Sequence, residues 1–371
     1  MAKASGIINM AGNHIWVEGM QDYRPIGAFS FLGRYRVVDF PMSNFSNSGI
    51  DRISVVAGNN PRSLTEHIGD GRHYNINSKR GNVEILFAEN NAKNRIYNTD
   101  IACFSKNMEN IIKMHRDYVV IAPSHIVYKM DYSKVLESHV ASGADITVVY
   151  HNTERANFLY PNCYYITLNR QKGILGFDIH KGDEACRDIS LDTYVMKTEL
   201  FEELVKKAES LSSMFTLAQV INASCAELDV RGYEHKGFVV ALTDLQQYFY
   251  GNLQLLDMEK AEDLINEEWP IYTRTNDSCP TKYYDSADVK HSVVSNGCLI
   301  EGTVENSIIG RGCTIKRGAV VKNSVILPDT LIESGVTVEC QVVDKHSKLI
   351  HCDKLVAEYT NCGYVKRGDT L

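Results

Sequence analysis

Residues 288–336, DVKHSVVSNGCLIEGTVENSIIGRGCTIKRGAVVKNSVILPDTLIESGV, constrain the fold more than any other stretch of this chain. Apolar residues return every five to six positions: Val293–Val294, Leu299–Ile300, Val304, Ile308–Ile309, Ile315, Val320–Val321, Val325–Ile326, Leu331–Ile332 and Val336. Gly, Asn and Asp fill the corners between them. The strings NSII at 306 and NSVI at 323 mark one coil of three short strands. This is the hexapeptide repeat of a parallel β-helix. A flat coil buries its aliphatic row only by stacking on another coil, so such a domain favours subunit contacts as well as its own stability. An ordinary run of short antiparallel strands would not keep this period over so many positions.

The first two-thirds has a different rhythm. Strand-like segments at 5–10, 52–57, 83–88, 118–123, 145–150 and 237–242 alternate with helix-like stretches such as 105–116, 132–141 and 198–210. In the last, Leu200, Phe201, Leu204, Val205 and Ala208 share one face, with Thr198 as the expected N-cap. Buried strands followed by helices predict right-handed βαβ units and a mixed or parallel sheet. Ligands of such sheets sit at the carboxyl ends of the strands, which directs attention to the loops after 5–10 and 118–123. Polar residues around Pro280 break the periodicity. The expected domains are therefore 1–272 (α/β), 273–287 (linker) and 288–371 (β-helix).

The remaining composition mainly excludes. Net charge is −7 with no basic block, so neither nucleic acid nor an anionic membrane surface is expected as a partner. No apolar run approaches the ~20 residues of a membrane span. No apolar core of signal-peptide length precedes Gly12, which argues against export. The ten cysteines contain no C-x-x-C pair, the expectation for reduced, mostly buried thiols of a cytoplasmic protein without a metal site.

Three strings narrow the field much further: GRYRVVDFPMSNFSNSGIDRISVV (33–56), HIGDGRHYN (67–75) and SHIVYKMDYSKVLESHVASGADIT (124–147). With the linker and repeat, they resemble the ADP-glucose pyrophosphorylases over essentially the whole chain. That family joins glucose 1-phosphate and ATP to give ADP-glucose and pyrophosphate. The resemblance implies an α/β fold: a Rossmann-like nucleotidyltransferase domain, a mixed sheet with flanking helices, followed by a C-terminal left-handed parallel β-helix.

The working positions of that family are replaced here. Its phosphate loop resembles G-G-x-G-[ST]-R, whose backbone N–H groups cradle the triphosphate while the Arg stabilises departing pyrophosphate. Ungapped alignment from GRYR puts Ala11, His14 and Trp16 at the second glycine-like, third glycine and arginine positions. The Lys of a following K-P pair falls on Ile26. The carboxylates that hold Mg²⁺ in the family fall on Ser124 and Ala241, with Asp244 three residues beyond the second. A G-T-A-D-A segment near the nucleotide appears as YNTDIACF (97–104). The sugar-phosphate Glu and Lys become Ile179 and His180, the latter a weaker phosphate anchor.

Arg24 and Arg36 match positions that resemble part of the family's anionic-effector site, and Arg34 lies between them. Arginine suits phosphate because its fork donates in parallel. The alternative for these residues is ion pairing or a subunit interface. The resemblance thus implies a non-catalytic, regulatory subunit of the GlgD type, bound to a catalytic subunit in a heterotetramer. Mg²⁺ and ATP would sit at that partner, and this chain would carry no cofactor. Two alternatives stay open: an active sugar nucleotidyltransferase using Asp244 and Asp100, and a stand-alone sugar-phosphate sensor. A β-helix acyltransferase is disfavoured, since His291 and His346 lie only at the margins of the repeat.

Overall fold

A computed structural model describes residues 3–371 apart from 11, 13, 59, 78, 80, 88–97 and 213. Ala11 of the phosphate-loop alignment and Tyr97 of the YNTDIACF segment lie outside the described residues.

Parallel strands buried on both faces need continuous apolar runs. Ala4–Asn9, Arg52–Ala57 and Tyr118–Pro123 supply them and form the centre of a nine-stranded sheet. Ala4–Asn9 pairs in parallel with both of the others, and Arg52–Ala57 pairs in parallel with Asn82–Phe87. On the other side Arg187–Lys197 runs antiparallel to Tyr118–Pro123 and to Ile146–Thr153, making the sheet mixed. Tyr164–Leu168, Ile174–Ile179 and Val230–Glu234 extend that side.

Val239–Ala241, expected as another strand of this type, instead forms a separate two-stranded antiparallel ladder with Ile126–Tyr128. The helix expected at 105–116 runs Asp100–Ile112 because Thr99 caps it, accepting from the Ala102 N–H at 3.2 Å. Thr198 is the first residue of its helix, Thr198–Leu211, rather than its cap. Its hydroxyl donates to the Arg116 carbonyl instead, at 2.7 Å.

The C-terminal region forms the expected left-handed parallel β-helix of three five-stranded sheets, each coil adding one strand to each sheet. Val293 stacks on Ile308 after 15 residues, and Ile308 on Val325 and Val325 on Val342 after 17 residues each. The first paired strand, Lys282–Tyr283, lies within the stretch that reads as linker. Two-residue strands point one side chain in and one out. Ile300, Ile309, Ile315, Ile326 and Ile332 accordingly fill the coil interior, whereas Leu299 faces out. Pairs apolar at both positions need a second explanation. Ile308, Val325 and Val342 point outward from the coil, yet they are buried against Phe31, Tyr248 and Phe249 of the first domain. On the sheet that carries Ile308, Val325 and Val342 the doubly apolar pairs therefore mark the docked face, whereas Leu299 of another sheet stays exposed.

Gly33, the first residue of GRYR, lies in that contact. It adopts φ +65, and a Cβ there would come within 2.6 Å of Ser295 Oγ and 2.8 Å of the Ile309 carbonyl oxygen.

Candidate functional site: a filled mouth and a basic cleft

The carboxyl ends of the 4–9 and 118–123 strands meet where Ser124 N–H donates to the Asn9 carbonyl at 2.9 Å. Ala241 pairs with Ile126, and Leu242 N–H donates to the His125 carbonyl at 2.9 Å. Ser124 and Ala241, which the resemblance aligns with the two metal positions, are both buried beside this short ladder. Neither side chain can ionise.

The adjoining pocket at the carboxyl ends of these strands, a mouth that neither Ser124 nor Ala241 borders, is nearly filled by the protein. Ile15 and Val17 anchor the loop in the core, with Ile26 packed in the same cluster. His14 turns back so closely that a Cβ on Gly12 would lie 2.5 Å from its ring. The same ring meets Tyr164 edge-on, with centroids 4.8 Å apart. A cavity of about 20 Å³ is left, bordered by Asn9, His14, Asp100, His125, Tyr164 and Asp192 among others. That is space for about one water. Trp16, half-buried, is not part of this lining; His14 is the residue that fills the mouth.

Burial also disfavours charge in this pocket. It pushes His14 down to about 4 and His125, with a smaller contribution from His14, to about 3. Burial raises Asp192 to about 7, opposed by the Tyr194 hydroxyl, which donates to it at 3.3 Å. His125 Nε2 and Asp192 Oδ2 face each other at 3.5 Å. Asp192 holds φ +45, unusual for a residue with a side chain.

These residues do not fit the Mg²⁺ that the family resemblance implies. Asp100 has its oxygens engaged by the Asn9 amide at 2.9 Å and by the backbone N–H groups of Ile101 and Leu217 at 2.8 and 3.1 Å. Asp244 caps the helix Leu245–Gln254, accepting from Gln247 N–H at 2.7 Å, and does not border the mouth. His180 is fully buried and closes a turn. Its Nδ1 accepts from Gly182 N–H and its Nε2 donates to the Glu184 carbonyl, both at 2.9 Å, so the ring is fixed in a neutral form. Burial lowers its affinity for a proton further. The partial charge that would suit His180 to a sugar phosphate is absent. Among the described residues no group of three or more His, Cys, Asp or Glu is placed to hold a metal ion, and no helix is long and apolar enough to cross a membrane.

The three arginines lead elsewhere. Arg24, Arg34 and Arg36 border a cleft of about 530 Å³ between the two domains. Arg274 enters from the linker, and Arg311, Lys345 and Arg367 from the β-helix. Arg24 is 2% exposed and meets Asp344 at 2.7 Å across the boundary. Its Nε and Nη1 are buried without hydrogen-bond partners. Buried donors left unpaired cost about 1–3 kcal/mol, and more when charged. Arg36 donates to the Ser63 carbonyl at 2.5 Å, and Arg274 to that of Glu66 at 2.5 Å. Burial lowers the proton affinity of Arg36 and Arg311, and neighbouring arginines add to it. Crowded cations of this kind suit a phosphate-like ligand.

Arg274, Arg311, Lys345 and Arg367 were not evident as candidates from sequence. The coil period offers one signal. Ile309 stacks on Ile326 and Ile326 on Val343, so Arg311 and Lys345 occupy equivalent corners two coils apart.

Comparisons with known proteins agree with this architecture. Residues 23–237 match the nucleotidyl transferase family and residues 280–356 the GlmU-like C-terminal hexapeptide family. The chain is 29% identical to the glycogen biosynthesis protein GlgD of Geobacillus stearothermophilus, covering 86% of this chain and 83% of that one. It is 30% identical to the glucose-1-phosphate adenylyltransferase of Clostridium perfringens strain SM101, covering 82% and 79%. Identity to GlgD of Bacillus subtilis is 25%, over 85% and 82%. The chain belongs to the nucleotidyl transferase family, in the ADP-glucose pyrophosphorylase (glucose-1-phosphate adenylyltransferase) group and similar to its GlgD-type members.

Proposed function

We propose that this chain is a catalytically deficient, regulatory subunit in glycogen biosynthesis. It assembles with a catalytic glucose-1-phosphate adenylyltransferase subunit, in a heterotetramer, and adjusts that subunit's activity. The observation that carries this reading is the nearly filled pocket at the carboxyl ends of the central strands, where ligands of such sheets bind: His14, Asp100, His125 and Asp192 leave about 20 Å³ there. Nucleotidyl transfer depends on electrostatic stabilisation of the phosphates, and each lost contributor costs several kcal/mol, where ~1.4 kcal/mol is tenfold in rate. Trp16, Ser124, Ala241 and His180 together remove the cation, the carboxylates and the sugar-phosphate anchor.

The interdomain cleft supports the regulatory half of the proposal. An anionic metabolite held by Arg24, Arg34 and Arg36 would touch both domains and bias their arrangement. Such coupling free energies are typically about 1–3 kcal/mol. Purified chain is assayed with glucose 1-phosphate, ATP and Mg²⁺, alone and with the catalytic subunit. The expected result is no turnover alone and an altered rate or effector response in the mixture. Robust turnover by the chain alone, or an unaffected partner, overturns the proposal.

An active site rebuilt around Asp244 finds no support in the position of that residue, whose carboxylate is committed to a helix cap.

A further inference from the structure

Among the lysine and arginines that border the cleft, one has an adjustable charge. Arginine keeps its proton throughout the working range, whereas lysine can lose one. Lys345 is half-buried on the cleft wall and has no salt-bridge partner among the described residues. The nearest carboxylate in sequence, Asp344, is already committed. Its Oδ1 accepts from Arg24 at 2.7 Å and from the Lys345 backbone N–H at 2.6 Å, and its Oδ2 accepts from the Tyr364 hydroxyl at 2.7 Å.

From the first domain Arg24 and Arg36 face this ammonium group, with Glu66 and His67 on the same cleft wall. From the β-helix come Arg311, Arg367 and the pair His346–Asp329, 3.6 Å apart. Glu66 pairs with Arg62 at 2.7 Å and His67 with Asp39 at 2.6 Å, so neither carboxylate serves Lys345. Burial together with Arg36, Arg24 and Arg367 pushes Lys345 down to about 7, with Asp344 opposing.

We propose that Lys345 is a proton-gated ligand of this cleft, so that an oxyanion such as a phosphate monoester binds together with a proton taken up by Lys345. This inference rests on the reading of the cleft as an anion site. The anion supplies the counter-charge that the protein withholds, and the ammonium form becomes favourable once it is there. Below about pH 7 Lys345 already carries its proton, and affinity is flat. Above that, each binding event must draw a proton from solvent, so affinity falls as pH rises, by up to about tenfold per unit.

Sulfate is the probe for the test because its charge is fixed across this range. Calorimetric titration of the full-length chain at pH 8, in two buffers of different ionisation enthalpy, counts protons taken up per sulfate bound. Uptake approaching one proton is expected for the natural chain. Lys345→Arg should bind sulfate with no uptake at pH 8 and with an affinity that no longer depends on pH between 7.5 and 8.5, above the range in which the cleft histidines titrate. Lys345→Gln should lose both the uptake and part of the affinity at pH 6.5. Sulfate binding without uptake, or uptake that persists in Lys345→Arg, overturns the inference while the anion site stands. Failure of the natural chain to bind sulfate even at pH 6.5 overturns the anion site itself, and the inference with it.

Discussion

Arg24 and Asp344 lie 320 residues apart in sequence and meet at 2.7 Å across the domain boundary, both almost completely buried. Asp344 also receives the Tyr364 hydroxyl and the Lys345 backbone N–H, so one carboxylate organises the β-helix side of the cleft. Removing one member of a buried pair strands the other charge and typically costs about 3–5 kcal/mol. Asp344→Ala should therefore lower stability by about that amount in urea unfolding followed by tryptophan fluorescence. The double variant Arg24→Met with Asp344→Leu should lose less than Asp344→Ala alone. A loss under about 1 kcal/mol for the single variant would mean that the pair is not shielded as its burial implies.

The cleft's cations also differ in what they can be exchanged for. Arg311 is not in a salt bridge among the described residues and borders the cleft, so its guanidinium is available to a ligand. A hydrogen bond to a charged group contributes about 1.5–3 kcal/mol. Arg311→Gln should thus weaken sulfate or phosphate binding by about ten- to a hundredfold. Arg317→Gln, exposed on the same β-helix and outside the cleft, is the control. Isothermal titration at low salt measures both. Equal affinities in the two variants would place the ligand elsewhere.

Much of this fold is legible in sequence because its strands are buried in regular ways. The runs at 52–57 and 118–123 are mostly apolar and became central parallel strands. Arg187–Lys197 is harder to see, since a register shift between Ser190 and Thr193 interrupts its alternation. Asp192 sits inside that shift at φ +45, a conformation that no residue type announces. The loss of the family's ligands at Trp16, Ser124 and Ala241 could be read by position. That His14 fills the mouth could not, because it depends on Tyr164, which arrives from a strand 150 residues later. Arg24, Arg274 and Arg367 likewise become neighbours only through domain docking.

Asp192 should make the folded state progressively less favourable as pH rises. Its folded-state pKa, about 7, lies above that of an unfolded aspartate. Below about pH 4 both states are protonated and the residue contributes nothing. Between about 4 and 7 the unfolded chain releases its proton while the folded chain keeps it, so stability declines across this window, by at most about 4 kcal/mol, and then levels off. Asp192→Asn keeps the shape and an acceptor for Tyr194, and asparagine tolerates positive φ. The variant should gain stability relative to the natural chain as pH is raised from 5 to 8. His14 and His125 act in the opposite sense, since their folded pKa values are depressed and acid favours the unfolded chain. Comparing the two proteins at each pH from 5 upward, above the depressed values of His14 and His125, keeps that contribution out of the difference. A stability difference that does not change with pH would show that the Asp192 carboxyl is already ionised at pH 5.

Gly33 gives a test of how tightly the domains are joined. An alanine at this φ of +65 carries the usual left-handed cost of about 1–2 kcal/mol. Its Cβ would also lie 2.8 Å from the Ile309 carbonyl oxygen, backbone that is fixed in the β-helix ladder and cannot swing aside. Overpacking adds about 1–3 kcal/mol. Gly49→Ala separates the two contributions, because Gly49 has φ +73 and nothing within 4 Å of the added carbon. Gly33→Ala should therefore lose more stability than Gly49→Ala. The excess should appear as faster proteolysis of the strand-free segment 273–281, while the interior of the β-helix, Ile309 and Ile326 included, stays protected from hydrogen exchange. Equal losses in the two variants would mean that the domains part without resistance at this contact. An anion in the cleft could not then work by holding them together there.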